Sequence, residues 1–406
     1  MSERHKRRSA RSAPRSVGRR LVLALAAGGL ALFSVADSLA NAIAPVTPEM
    51  AHKLAPWNGK IMAEEAQRSF QQKADYSAKS GSAALARQAL KSEPTAVEAL
   101  AVLGLQAQLR QETGRSRDIL AHALLLSRRE LSTRLWTIEE ASLRGDIDGA
   151  LTNYDIALRT SSQAPARLFS PLAGALVEPR IRAKLLTILA RKPLWRDDFL
   201  NYAATSGSQP RAVAEFFREA GRKGIPVAGD VRTALVDNLA NHGLYDEAWA
   251  YYASIRTDAA RDRSRDPRFT FAGNNRSLFD WNVTDYASFQ SGAAGGVLDF
   301  VVPSTTGGTL ASQASVLPPG HYLLHGTSAH IEEPEASRPY WSLWCGTRQV
   351  GQVDIGNSPN GEGRFSGTLT VPSGCPLQTL TLVARSTDNS RGVTGQITSV
   401  QVEPAR

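Results

Sequence analysis

The side chains best suited to chemistry are few, and their spacing limits what they can do. The histidines are His5, His52, His122, His242, His321, His325 and His330. No His-Glu-x-x-His run sets two imidazoles on one helix face, and His321, His325 and His330 lack a clear carboxylate geometry, so no metal site is expected. Acidic pairs occur at Glu139-Glu140, Asp197-Asp198 and Glu332-Glu333. Glycoside cleavage needs two carboxyls across one bond, whereas adjacent acids usually point apart, so these pairs read as solvated faces. There is no Gly-x-Ser-x-Gly elbow, no Gly-Lys-Ser/Thr phosphate loop and no dinucleotide glycine fingerprint. No catalytic residue and no cofactor is therefore assigned. An enzyme acting on envelope glycans through an unidentified carboxylate pair stays as the alternative to a binding protein.

Two features remain. Cys345 and Cys375 are the only cysteines, and a lone pair in an exported segment reads as one disulfide, with two unpaired buried thiols as the alternative. In Trp341-Ser342-Leu343-Trp344-Cys345, strand alternation places Trp341 and Leu343 on one face beside that bridge. Trp344 then points the other way, with Tyr340 nearby, where an indole can stack on a sugar ring or pack beneath a loop. Phe279, Trp281 and Val283 share a face and are expected in the core.

The chain has 406 residues, enough for two or three folded units. Its net charge of +9 is concentrated at the start, since residues 1–20 hold eight Lys/Arg against one Glu. A basic tail of this kind is not a basic binding surface, and nucleic acid is not implied. Behind it, Leu21 to Ala36 carries no charge and no proline. These residues reach ~24 Å as a helix, short of the ~30 Å hydrocarbon core, and apolar continuation to Ala44 closes the gap at the cost of Asp37. The preceding cations should stay cytoplasmic and send the rest of the chain across the membrane. An uncleaved anchor, and a signal peptide cut at Ala40-Asn41-Ala42, both satisfy that pattern; Arg19-Arg20 is a twin arginine in a poorly matching context. The segments expected are thus a basic cytoplasmic tail at 1–20, an anchor or signal at 21–44, and a linker at 45–62.

From Glu64 to Ile255 the chain is rich in Ala, Leu, Arg and Glu at helical spacing. It also repeats itself. Ala89, Ala123 and Ala157 are 34 residues apart, as are Ala107 and Ala141, and Ser82, Ser116 and Ala150. This pattern resembles the tetratricopeptide repeat, with Ala150, Tyr154 and Ala157 marking the second helix of the clearest unit, Leu131 to Ser162, and Leu100, Leu103, Gly104 and Ala107 marking a first helix. The resemblance implies a helical superhelix at 63–262 whose concave groove holds protein segments. Its groove positions fall on Glu98, Ala101, Leu105, Gln108, Ser132, Leu135, Glu139 and Ser142, and on Asp230, Thr233 and Asp237.

Beyond Arg265, Gly, Ser, Thr and Pro rise and short alternating runs appear between turns. The expected strands are Leu278 to Val283, Gly296 to Val302, Gly320 to Gly326, Tyr340 to Gly346, Phe365 to Val371, Leu377 to Arg385 and Gly395 to Val402. The run Leu317-Pro318-Pro319-Gly320-His321-Tyr322 resembles the strand start of jelly-roll domains of the galactose-binding and carbohydrate-binding-module kind. That resemblance implies an all-β sandwich at 265–406, a scaffold used for glycan binding and for structural accessory domains alike. The whole arrangement resembles accessory proteins of bacterial exopolysaccharide systems. Together these readings imply a non-enzymatic, single-pass inner-membrane protein with periplasmic domains. Its expected partners are envelope proteins for the helices and polysaccharide for the sandwich, through Trp344 and Tyr340.

Overall fold

The computed structural model describes residues 15–73, 75, 77–271, 273–292, 295–388 and 390–405. Residues 1–14 of the basic tail lie outside the described residues. The chain forms two compact units, residues 1–164 and 165–406.

The first unit is helical. It contains α1 (Arg15–Ile43), α2 (Pro48–Leu54), α3 (Gly59–Gln72), α4 (Gly81–Ser92), α5 (Val97–Leu109), α6 (Thr113–Leu126), α7 (Leu131–Leu143) and α8 (Ile147–Thr160). Polar side chains start several of these helices by accepting orphan backbone N–H groups: Asn58 accepts from Lys60 and Ile61, Ser80 from Ala83, and Asp146 from Gly149. The 34-residue alanines mark close helix contacts, since Ala89 on α4, Ala123 on α6 and Ala157 on α8 are all buried. Gly104 on α5 shows why small residues recur here, because a Cβ at this position would lie 2.5 Å from the buried Leu120 side chain of α6.

The second unit begins with α9 (Ala164–Gly174), α10 (Pro179–Leu189), α11 (Arg196–Ser206), α12 (Pro210–Arg222), α13 (Gly229–Asn241) and α14 (Tyr245–Ile255). Strands follow: β1 (Asn282–Val283), β2 (Ala287–Gly292), β3 (Gly295–Val302), β4 (Gly308–Ser315), β5 (Gly320–Ala329), β6 (Tyr340–Cys345), β7 (Arg348–Asp354), β8 (Glu362–Val371), β9 (Gln378–Ala384) and β10 (Val393–Pro404). They form two five-stranded antiparallel sheets, ordered β1-β4-β9-β6-β7 and β2-β3-β10-β5-β8. The inward faces meet in one apolar core that includes Trp281, Leu298, Phe300, Leu324, Trp341, Leu343, Leu382 and Val400. The architecture is therefore a helical part followed by an all-β sandwich. Tyr322, the aromatic of the Pro-Pro-Gly-His-Tyr run, is buried and donates its hydroxyl to the Pro318 carbonyl at 2.7 Å, closing the turn into β5.

The expected strand at Leu278 to Val283 is only partly formed. Asp280 is fully buried and turns the backbone, accepting from the Ser277 amide and hydroxyl and from Tyr252 of α14 at 2.8 Å. It also forms an ion pair with Arg265. Phe279 and Trp281 are buried as their alternation predicts, while Val283 lies at the surface. Phe279 packs on Trp249 and Tyr252 of α14, at 5.1 and 5.2 Å between ring centroids. The last helix pair and the sandwich thus share packing within the second unit.

Candidate functional site

Strand β6 alternates as its sequence requires. Trp341 and Leu343 point into the sandwich core, and Tyr340, Ser342 and Trp344 take the opposite face. Ser342 is fully buried, and the two aromatics beside it are half-buried. The register builds rows across this outer face, in which Trp344 lies between Thr379 of β9 and Gln349 of β7, and Tyr340 between Val383 and Asp354. Four residues of strand separate the two aromatics by ~13 Å, the scale of an extended oligosaccharide rather than of one ring. Val350 is the extra residue of a bulge between β6 and β7 and packs on the core, which keeps Gln349 opposite Trp344.

Beside the aromatics runs a connected polar edge. Gln349 donates to Gln352 at 3.2 Å, Gln352 donates to Asp354 at 3.1 Å, and Arg385 donates to the same Asp354 oxygen at 2.8 Å. Arg385 also donates to the Arg338 carbonyl at 2.7 Å and lies over the Tyr340 ring, 4.3 Å from its centroid. One face of Tyr340 is therefore occupied by a guanidinium, and Trp344 is the aromatic left to stack. Amide, carboxylate and guanidinium groups offer paired donors and acceptors of the kind that vicinal hydroxyls can satisfy.

Cys345 follows Trp344 directly and is bonded to Cys375, with 5.7 Å between their Cα atoms. The bridge fastens the loop ahead of β9 to the end of β6, so the backbone under Trp344 is held from two sides. The second sheet's outer face is different. Its strands carry His321, which meets Thr370, and His325, 3.2 Å from Glu403, but no outward Trp, Tyr or Phe among the described residues.

Sequence reasoning singled out Trp344 and Tyr340 but not Gln349, Gln352, Asp354 and Arg385, which stand beside them. Gln349, Gln352 and Asp354 lie on β7, whose few strongly apolar residues kept it out of the expected strands. Arg385 was not legible, because its place over Tyr340 depends on the β6–β9 register.

The residues expected to line a helical groove differ in their exposure. On α5, Ala101 is fully buried, Glu98 and Leu105 are half-buried, and Gln108 is exposed. Gln67 of α3 donates to Glu130 at 2.8 Å and to Ser132 at 3.4 Å, so α3 meets the start of α7 near this face. On α7, Leu135 is half-buried, and Glu139 and Ser142 are exposed. Glu64 of α3 was not singled out from sequence. Burial pushes its carboxyl above the usual range, Lys60 opposes that shift, and Glu98 adds to it. In the second unit Thr233 is buried and Asp230 exposed. Asp237 accepts the Leu278 amide at 2.9 Å, which ties α13 to the segment before β1. Burial raises the Asp237 pKa, the amide opposes this, and Asp280 reinforces it.

No protein family matches the chain, and no curated protein matches it. Several solved structures are similar over part of it. One is the enzymatically active domain of tailspike protein 4 of bacteriophage CBA120, at 13% identity and a TM-score of 0.25, covering 35% of this chain and 21% of that one. The chain thus spans about a fifth of that structure's length. Another is TmCBM61 in complex with β-1,4-galactotriose, at 12% identity and a TM-score of 0.24, covering 31% of this chain and 88% of that one. A third is the CBM22-1 xylan-binding domain of Paenibacillus barcinonensis Xyn10C, at 12% identity and a TM-score of 0.26, covering 36% of this chain and 100% of that one.

Proposed function

We propose that the protein is a non-enzymatic, membrane-tethered glycan-binding protein of the bacterial envelope. The observation that carries this reading is the outer face of the first sheet. There Trp344 stands beside the hydrogen-bonded run from Gln349 through Gln352 and Asp354 to Arg385. A sugar ring stacks its C–H face on the indole, and its hydroxyls exchange hydrogen bonds with the amides, the carboxylate and the guanidinium. Tyr340 acts by holding Arg385 over its ring.

The helix α1 supports the tether, since its segment Arg19–Ile43 is long and apolar enough to cross a membrane. The basic residues ahead of it favour a cytoplasmic N-terminus and periplasmic domains. The helices serve as a scaffold. A protein partner would meet the exposed Gln108, Glu139 and Ser142 rather than the filled position at Ala101.

Electrophoresis of the full chain in detergent through gels containing galactan, xylan or a bacterial exopolysaccharide tests the glycan reading. At least one polymer should retard the protein. Arg385→Ala should restore most of the mobility in that gel while the melting temperature stays within a few degrees. Unchanged mobility of the wild-type chain in every polymer would sink the reading.

A further inference from the structure

The segment that follows α1 carries an apolar face that the fold leaves uncovered. Val46, Met50, Leu54 and Trp57 are 71, 59, 39 and 43% exposed. Their spacing of four, four and three places them on one side of α2 and its flanks. The opposite side is packed, because Pro48, Ala51 and Ala55 are buried and Ala51 and Ala55 cluster with Ala40, Ala44 and Ile61. Glu49 and Lys53 border the exposed face, and His52 turns away to pair with Glu65 of α3.

We infer that this face lies in the headgroup layer of the membrane that α1 enters, so that α2 docks the helical unit on a lipid surface. The inference rests on the reading of α1 as a bilayer helix, and three observations select lipid as the occupant. First, the face is continuous with α1, since Trp57 stacks on Phe33 with ring centroids 4.7 Å apart and an interplanar angle of 23°. Second, the stack marks a boundary. Four residues beyond Phe33, Asp37 accepts a hydrogen bond from Asn58 at 3.0 Å, and Asn58 also starts α3. The apolar side chains before Phe33, among them Leu21, Leu25, Leu30 and Leu32, are all exposed. Third, the uncharged part of α1 is ~6 Å short of a typical hydrocarbon core. An apolar face with a tryptophan at the end of a short span accommodates such a mismatch, and Lys53 at its border can reach the phosphates.

Spin labels on single added cysteines test this, because both native cysteines are bonded to each other. The full chain carrying Leu25→Cys, Met50→Cys or Glu49→Cys is reconstituted in vesicles of phosphatidylethanolamine and phosphatidylglycerol. Collision with oxygen is then compared with collision with a water-soluble nickel chelate. These positions are exposed, so the substitutions leave the fold intact. The oxygen-to-nickel ratio should be high at position 25 and several-fold higher at 50 than at 49. A lipid-like signal at 25 with equal ratios at 50 and 49 would overturn the docking face and leave the anchor standing. A water-like signal at 25 would overturn both.

Discussion

Gln111 holds the turn between α5 and α6 at φ +64°, a left-handed conformation in which a Cβ crowds the neighbouring carbonyl. The residue 34 positions later is Gly145, at φ +70° in the turn between α7 and α8, where no such crowding arises. Gln111→Gly should therefore stabilise the first unit by about 1 kcal/mol, and Gly145→Ala should destabilise it by a similar amount. Thermal melts followed by circular dichroism would show the two shifts, and a lower melting temperature for Gln111→Gly would contradict the account. Asp237 makes a second residue-scale case. Burial raises its pKa in the fold above the unfolded value, so protonation favours the folded state. That contribution is complete below the unfolded carboxylate range and is lost as pH rises through the folded value. An asparagine at this position would still accept the Leu278 amide without carrying a buried charge. Asp237→Asn should therefore melt above the wild type at pH 7, with the gap closing as pH falls toward 3. A variant less stable than the wild type at pH 7 would refute this.

At the scale of elements, most of the sandwich was legible where strands alternate strongly apolar residues, as in β3, β6, β9 and β10. Strands β2, β4 and β7 were not legible. Ala-Ser-Phe-Gln-Ser-Gly, Gly-Thr-Leu-Ala-Ser-Gln-Ala-Ser and Arg-Gln-Val-Gly-Gln-Val-Asp hold few β-branched residues, and two of these strands form sheet edges. Leu278 to Asp280 misled in the other direction. Its hydrophobic alternation belongs to a turn whose Phe279 packs on helix α14. Ala101, an expected groove position, is fully buried, because sequence spacing identifies a face of α5 but not what covers it. The disulfide was legible from count and compartment alone. It closes a loop across 30 residues, worth about 3 to 4 kcal/mol on a chain-entropy basis. Reduction should lower the denaturant midpoint of the sandwich by a corresponding amount and weaken glycan retention, because the bridge supports the backbone beside Trp344. An unchanged midpoint after complete reduction would show that the bridge contributes no stability.

At the scale of the molecule, the order of apolar helix, helices and sandwich was readable because each has its own composition and period. The fate of α1 was not, since a small-x-small pattern does not say whether its residues are packed. In the fold Ala40 is fully buried with Ala51, Ala55 and Ile61, and Asp37 is hydrogen-bonded to Asn58. Cleavage after Ala42 would strip those contacts from the helical unit. Mass analysis of the protein from its native source should therefore find α1 retained, and a mature chain beginning at Ile43 would contradict the anchor. Glycan binding by the outer face of the first sheet, as proposed, depends on Trp344. Its most direct test is the dissociation constant of the full chain for a retarding polymer, compared among wild type, Trp344→Ala and Trp344→Phe. Loss of stacking should weaken Trp344→Ala about tenfold, or about 1.4 kcal/mol, and Trp344→Phe should keep most of the affinity, with all three proteins melting alike. Equal affinity of Trp344→Ala and wild type would contradict the account.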